Sequence, residues 1–279
     1  MNHRKNSLAT FLLLFALLVS CVDQADSPSN ETGPAPFKLI SSEYSNIDFN
    51  NQLSGKNYKS YFDYINVFNG GGVGAGDLNN DGLTDLIFTG SLVSNRIYIN
   101  KGSFVFEDIS ESAGILDTTV WTNGVVIHDV NGDGFEDIYL SNAYYDDERR
   151  KNKLYINNGD LTFTEKAEQF GIADMGYSIQ SAFFDFDNDG DADLFVANHP
   201  RNRLRPDNNR SHYDFWQNPV IKYSDKLYRN EGNGKFTDVT ESSGILNYGW
   251  SLSFLTSDFN NDGFLDIYVA VDHDEPDRL

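Results

Sequence analysis

Four nine-residue stretches share one pattern: DLNNDGLTD at 77–85, DVNGDGFED at 129–137, DFDNDGDAD at 185–193 and DFNNDGFLD at 258–266. Each reads D-φ-[ND]-x-D-G-x-x-D with φ apolar. Each runs into an apolar, strand-like segment: LIFTG, IYLSN, LFVAN or IYVAV. Two carboxylates about 4 Å apart repel by roughly 4 kcal/mol at the effective dielectric near a protein surface. A solvated acidic surface accounts for one such stretch, but not for the same pattern four times. The repetition calls for a cation that offsets the repulsion.

The spacing points to calcium, which takes six to eight oxygen ligands from a flexible loop. Positions 1, 3 and 5 aim alternate side chains at one point. They are Asp77, Asn79 and Asp81; Asp129, Asn131 and Asp133; Asp185, Asp187 and Asp189; Asp258, Asn260 and Asp262. Glycine at position 6 (Gly82, Gly134, Gly190, Gly263) permits a backbone reversal that a Cβ would hinder. Position 7 (Leu83, Phe135, Asp191, Phe264) offers a carbonyl, and the aspartate at position 9 (Asp85, Asp137, Asp193, Asp266) closes the cage. Up to four Ca²⁺ ions are expected. Loop 185–193, with Asp187 where the others carry asparagine, is expected to bind most tightly. An EF-hand requires Glu at position 12 and flanking helices. Here position 12 is Phe88, Leu140, Val196 or Val269, inside a strand-like run. Magnesium prefers waters and strict octahedral geometry, and zinc prefers His or Cys ligands.

The self-similarity extends past the loops. NRIYINKG (95–102), NKLYINNG (152–159) and DKLYRNEG (225–232) form a second series. SFVFEDISESAGI (103–115), LTFTEKAEQFGI (161–172) and KFTDVTESSGI (235–245) form a third. Alternation such as R-I-Y-I-N reads as strand, and the Asn- and Gly-rich joins read as hairpin turns. The unit is strand A, acidic loop, strand B, strand C, tight turn, strand D, then a short polar turn ending in Gly-Ile. Four antiparallel strands per unit is the grammar of a β-propeller blade. The fold class is therefore all-β, with repeats at about 73–115, 121–172, 177–245 and 249–279.

GGGVGAGDLNNDGLTDLIF, with LYRNEGNGKF and FTDVTESSGI, resembles the FG-GAP or VCBS repeats of bacterial surface propellers of the ASPIC/UnbV, cartilage acidic protein-like type. The resemblance covers 37–279. It implies a seven-bladed propeller with Ca²⁺ in the A–B loops. About four blades are present, so an open, truncated propeller is expected, with a four-bladed closed ring as the alternative. DRL at 277–279 matches the opening of strand C, and the family's C-terminal domain is not seen. FKLISSEYSNI at 37–47 resembles a strand-D segment, which predicts that residues 37–40 are the outer strand of the ring's last blade.

The N-terminus reads as an export signal. His3, Arg4 and Lys5 precede an apolar run at 8–19, too short for a comfortable membrane span. LVSC at 18–21 resembles the lipobox of bacterial lipoproteins. That implies a signal peptide at 1–20 and acylation at Cys21, the single cysteine, with attachment at the outer membrane or cell surface. Residues 21–36 read as a tether.

With 42 acidic against 21 basic residues and a net charge of −21, nucleic-acid binding by general electrostatics is excluded. One segment runs against that balance. Residues 199–224, joining strands B and C of the third unit, carry Arg201, Arg203 and Arg205 interleaved with Tyr213 and Trp216. Such a mixture stacks on sugars or pairs with carboxylates, so a protein or glycan ligand is expected on that face. The alternative is a loop folded over its own blade, its cations paired with nearby acids. The same two readings apply to AYYDDERRKN at 143–152. Nucleophile-elbow, zinc-protease and phosphate-loop motifs are missing. The chain reads as non-enzymatic, the alternative being a polysaccharide-active hydrolase or lyase using His199, His212 and Arg203.

Overall fold

β-Branched and aromatic side chains dominate the run that follows each acidic loop, and such residues suit a pleated, half-buried surface. The computed structural model describes residues 37–53, 70–199, 221–272 and 276–279. Its contacts divide the chain into Met1–Leu39 and Ile40–Leu279, and every element below lies in the second unit. Among the described residues, strands β1–β14 form three four-stranded antiparallel sheets and one two-stranded sheet. The first sheet is β1 (Val73–Gly76), β2 (Asp85–Phe88), β3 (Arg96–Asn100) and β4 (Phe106–Asp108). The second is β5 (Trp121–His128), β6 (Asp137–Ala143), β7 (Lys153–Asn157) and β8 (Phe163–Glu165). The third is β9 (Ser178–Phe184), β10 (Asp193–Asn198), β11 (Lys226–Asn230) and β12 (Phe236–Asp238). The fourth is β13 (Trp250–Ser257) and β14 (Asp266–Asp272).

Every sheet runs in chain order, as a propeller blade does. The first strands of successive sheets lie beside one another: β1 against β5, β5 against β9, β9 against β13. Three apolar clusters fill the seams. Ile87, Ile97 and Ile99 of the first blade meet Ile138 and Leu140 of the second. Tyr139, Leu154 and Ile156 meet Leu194 and Val196 of the third. Phe195 and Leu227 meet Phe254 and Val269 of the fourth. The Gly-Ile that closes each unit belongs to these seams, since Ile115 and Ile172 are buried and Ile245 packs against Phe254 and Val269.

Two local expectations change. The polar turn before Gly-Ile is a single helical turn in the first two blades: α2 (Ser110–Ala113) and α4 (Ala167–Phe170), following α1 (Ser42–Ser45) and α3 (Asp147–Arg150). Gly114 and Gly171 end α2 and α4 in the left-handed conformation, and Asn46 does the same for α1 (φ 61°). The kinship of SSEYSNI with SESAGI is therefore structural. Residues 37–40, however, form no strand, and Phe37 and Leu39 are exposed. A strand D pairs with the strand C of its own blade. The described strands C, β3, β7 and β11, each have neighbours on both edges, so the last-blade partner expected for residues 37–40 is not among the described residues. The chain from Asn46 onward instead covers the outer face of the first blade. Phe49 stacks on Phe88 (centroids 5.3 Å apart), the Tyr98 hydroxyl donates to Asp48 (2.9 Å), and Ser91 N donates to Asn51 (2.8 Å).

The end of each blade opposite the acidic loops carries a buried polar ladder. Asn95, Asn152 and Asp225 occupy one position, just before strand C. Each side chain accepts a backbone N–H at or just past the end of strand B: Gly90 (3.0 Å), Asn142 (2.7 Å) and Asn198 (2.7 Å). Each also reaches the next blade, at Thr122, Ser178 and Ser251. In the third blade the residue is a carboxylic acid, 1% exposed, which also accepts from Asn247 Nδ2 (2.7 Å). Burial pushes Asp225 up to about 7, against the hydrogen bonds that favour its ionised form. A folded-state value raised above the unfolded one gives stability that is complete below about pH 4 and lost as pH rises through about 7. Asp225→Asn should therefore gain on the unsubstituted chain as pH rises from 4.5 to 7.5, by on the order of 2–4 kcal/mol. Urea unfolding of the two proteins side by side at each pH measures the gap, and a constant gap would refute the assignment.

Candidate metal centre

All four acidic stretches are A–B hairpin loops. The registers Gly76↔Asp85, His128↔Asp137, Phe184↔Asp193 and Ser257↔Asp266 place position 9 at the first residue of strand B. The sixth-position glycines all have positive φ (83°, 90°, 96° and 91°), where an L side chain is strained.

The loops are pre-shaped by their own backbone. The position 1 carboxylate takes the N–H groups of positions 5 and 6, as in Asp81 N and Gly82 N to Asp77 (3.0 and 2.8 Å). Asp129, Asp185 and Asp258 do the same. The position 5 carboxylate takes the N–H of position 7, at Leu83, Phe135, Asp191 and Phe264. A carboxylate oxygen that accepts one N–H keeps a further acceptor site, so these bonds orient ligands without consuming them.

Position 9 does more than its spacing suggests. In the first three blades one oxygen accepts the N–H of position 2, and the other accepts the N–H of the asparagine that ends strand C. Asp85 bonds Leu78 N (2.9 Å) and Asn100 N (2.8 Å). Asp137 bonds Val130 N (3.0 Å) and Asn157 N (2.8 Å), and Asp193 bonds Phe186 N (3.0 Å) and Asn230 N (2.8 Å). These three aspartates are buried, whereas Asp266 of the two-stranded blade is half-buried. Burial pushes Asp137 and Asp193 up to about 6, with neighbouring loop aspartates adding to the rise, and moves Asp85 in the same direction.

Loop 185–193 differs at position 3. Asn79, Asn131 and Asn260 donate to the position 5 carboxylate at 3.0, 2.8 and 2.9 Å. Asp187 has no proton to donate when ionised, and its buried Oδ1 has no hydrogen-bond partner. Oxygens of Asp185, Asp187 and Asp193 lie within 4.8 Å of one another. Oxygen-only donors, converging charge and an orphaned buried acceptor fit a hard divalent cation such as Ca²⁺. Asp185, Asp187, Asp189 and Asp193, with the Asp191 carbonyl, are the residues that would hold it.

At the opposite end of the blades, Arg150 is fully buried. Its guanidinium donates to the carbonyls of Met175 and Tyr144 (2.7 Å each) and to Asp147, and lies 4.1 Å from the centroid of the Tyr177 ring. Lys151 pairs with Glu148 and Glu168 (2.6 Å each), and Lys222 pairs with Asp147 (2.9 Å). Segment 143–152 thus packs against Met175, Tyr177 and Lys222 beyond its own blade, with Arg150 and Lys151 paired with acids and Arg149 over the Tyr144 ring. His128 stacks on Phe183 (5.2 Å) and burial pushes it down, as for a packed strand residue. His199 is buried edge-on to Trp250 (4.4 Å). Cys21, Arg201, Arg203, Arg205, His212, Tyr213 and Trp216 lie outside the described residues. Among the described residues, no helix is long and apolar enough to cross a membrane.

Two functional elements escape a reading of loop spacing alone. One is the strand-C asparagine: besides its backbone bond to Asp137, Asn157 Nδ2 donates to the Leu78 carbonyl of the neighbouring loop (2.8 Å). Its signal was the N-x-G that recurs at 100–102, 157–159 and 230–232. The other is Glu136, which accepts from Asp77 N across the blade seam (2.5 Å) and has no counterpart in the other loops.

Comparison with known proteins agrees with this architecture. A family profile described as FG-GAP-like repeat matches residues 77–140, 129–196 and 215–269. Cartilage acidic protein 1 of Xenopus tropicalis is 27% identical over 216 residues, covering 74% of this chain and 29% of that protein. The human protein of the same name is 23% identical over 211 residues, with the same coverage. The chain thus spans under a third of the length of these relatives. Each matched stretch contains an acidic hairpin loop with strands of its blade, and the three together cover more than half of the residues: the chain belongs to the FG-GAP-like repeat family.

Proposed function

We propose that this chain is a non-enzymatic, calcium-stabilised propeller, lipid-anchored through Cys21 at a bacterial cell surface, that binds a protein or glycan ligand. The observation that carries the calcium reading is the unpartnered, buried Oδ1 of Asp187 amid the convergent carboxylates of Asp185 and Asp193. An anion so placed requires a positive partner. Calcium bound between strands A and B stabilises the folded chain by mass action, about 2.7 kcal/mol at a hundredfold excess over Kd.

The decisive variant is Asp187→Asn, which gives loop 185–193 the residue its three counterparts carry. In chelator it removes a repulsive charge and supplies a donor toward Asp189, so the thermal midpoint should rise, by about 0.5–1 kcal/mol in stability. In saturating calcium the gain conferred by the ion should shrink. Opposite signs in the two conditions are expected in scanning calorimetry, and equal shifts would refute the site.

Cys21 follows the LVS of an export signal, and that sequence supports anchoring. Expressed in a bacterium, the chain should partition into the detergent phase, and Cys21→Ser should move it to the aqueous phase. No difference between the two would exclude the anchor.

Ligand binding is assigned to 199–224 because its Arg and aromatic content opposes the charge of the chain. Replacing Arg201, Arg203 and Arg205 together by alanine should abolish retention on an immobilised sulfated polysaccharide and leave calcium uptake intact. Undiminished retention would place any glycan site elsewhere.

A further inference from the structure

Position 4 of each acidic loop lies between two proposed ligands and adopts the left-handed conformation: Asn80 (φ 57°), Gly132 (φ 72°), Asn188 (φ 61°) and Asn261 (φ 62°). Two of these side chains cross a blade seam. Asn80 Nδ2 donates to the Gly134 carbonyl of loop 129–137 (2.9 Å), and Asn188 Nδ2 donates to the Gly263 carbonyl of loop 258–266 (3.0 Å). Gly132 has no side chain to offer. Among the described residues, no hydrogen bond joins loop 129–137 to loop 185–193.

We infer that Asn80 and Asn188 tie the cation loops into two pairs, 77–85 with 129–137 and 185–193 with 258–266, and that the loops load pairwise, with the glycine at 132 leaving the pairs independent. The inference rests on the calcium reading above and adds its regulation.

The geometry forms a relay. The peptide that joins Gly134 to Phe135 is gripped at both ends: its carbonyl by Asn80, its N–H by Asp133 Oδ1 (2.9 Å). Asp133 is a position 5 ligand, and the next carbonyl along, that of Phe135, is the position 7 ligand. Asn80 in turn is flanked by Asn79 and Asp81, whose side chains would turn inward onto the first loop's ion. Fixing loop 77–85 around a cation therefore fixes the Asn80 side chain, and through it the peptide that orients two ligands of the second loop. The third and fourth loops repeat the relay from Asp187 and Asp189 through Asn188 to the Gly263–Phe264 peptide, whose N–H bonds Asp262 (2.9 Å). The first pair has two additional ties, Asp77 N to Glu136 (2.5 Å) and Asn157 Nδ2 to the Leu78 carbonyl (2.8 Å). Coupling of this kind is reciprocal, so each loop raises its partner's affinity by the same factor.

The test is a calcium titration of the full chain, read at the backbone amides of Gly82, Gly134, Gly190 and Gly263 by NMR. Each of these amides donates to the position 1 carboxylate of its own loop and so reports that loop's occupancy. In the unsubstituted chain Gly82 and Gly134 should share one midpoint, and Gly190 and Gly263 another. Asn80→Gly keeps the left-handed backbone while removing the donor. It should move the Gly134 midpoint to higher calcium by about two- to tenfold, the worth of one hydrogen bond, and leave Gly190 and Gly263 in place. Gly132→Asn, which supplies a donor at the seam that lacks one, should bring Gly134 and Gly190 into a common transition. A Gly134 midpoint that stays put in Asn80→Gly, with all four loops still loading, overturns the pairing and leaves the calcium reading standing. An unsubstituted chain in which no glycine amide responds to calcium overturns both.

Discussion

Each complete blade depends on a carboxylate buried at the corner where the acidic loop, strand B and strand C meet. Asp85, Asp137 and Asp193 are inaccessible to solvent, yet each must hold two chain segments that carry no charge. A buried carboxylate without compensation is costly. Two backbone N–H bonds per aspartate offset part of that cost, and hydrogen bonds to charged groups are the stronger kind. They do not offset all of it, because Asp137 and Asp193 still sit well above the ordinary carboxylate range. The corner is thus geometrically complete and electrostatically incomplete. A divalent cation at positions 1, 3 and 5 would supply the missing charge beside the same aspartate that pins strand C, so that metal affinity and blade integrity become one free energy.

The blades keep this scheme while varying the residues that carry it. In the first and third, the strand-D aspartate and the Ser or Thr two residues on act as a pair. Asp108 accepts Ser110 N, and Ser110 Oγ accepts Ile97 N (2.9 Å); Asp238, Thr240 and Leu227 repeat the arrangement. The second blade has alanine at 167 and so no hydroxyl. Its longer Glu165 reaches both donors, Ala167 N (2.8 Å) and Leu154 N (3.3 Å). One methylene group in the acid replaces one hydroxyl in its neighbour, and strand C keeps its bond. The exchange of Asn95 and Asn152 for Asp225 is less neutral, since a carboxylate takes over a place where an amide both accepts and donates.

Most of the blade could be read from residue spacing, because the features that repeat are backbone demands. The acidic hairpins, the strand order and the Gly-Ile seams all follow from patterns that recur at fixed offsets. What could not be read depends on neighbours. FKLI at 37–40 resembles the opening of a strand D, but a strand D needs the free edge of a strand C, and β3, β7 and β11 offer none. DDERR looks like a charged surface run, yet Arg150 is buried because three acceptors and the Tyr177 face converge on it from Tyr144, Asp147 and Met175. The second duty of position 9, toward strand C, lies in the backbone N–H of a residue 15 to 37 positions away, which no side-chain pattern displays. The loop expected to bind calcium most tightly is also the one with an orphaned acceptor, an agreement that rests on a single exchange of Asn for Asp at 187.

Position 4 of the loops shows how one backbone constraint can decide what lies within reach of a neighbour. The left-handed conformation costs most residues roughly 1–2 kcal/mol, and glycine, asparagine and aspartate bear it best. Aspartate there would add a like charge to a loop already crowded with them, and it has no proton to donate. Glycine and asparagine remain, and these are the residues found at 80, 132, 188 and 261. The backbone is satisfied equally by both, so the difference between them appears only across the seam. Asparagine reaches a neighbouring glycine carbonyl from 80 and 188, while 261 makes no hydrogen bond among the described residues and 132 has nothing to extend. The position 4 contact between loops is therefore a by-product of a conformational filter, made by asparagine at two seams, the first of which Glu136 also ties.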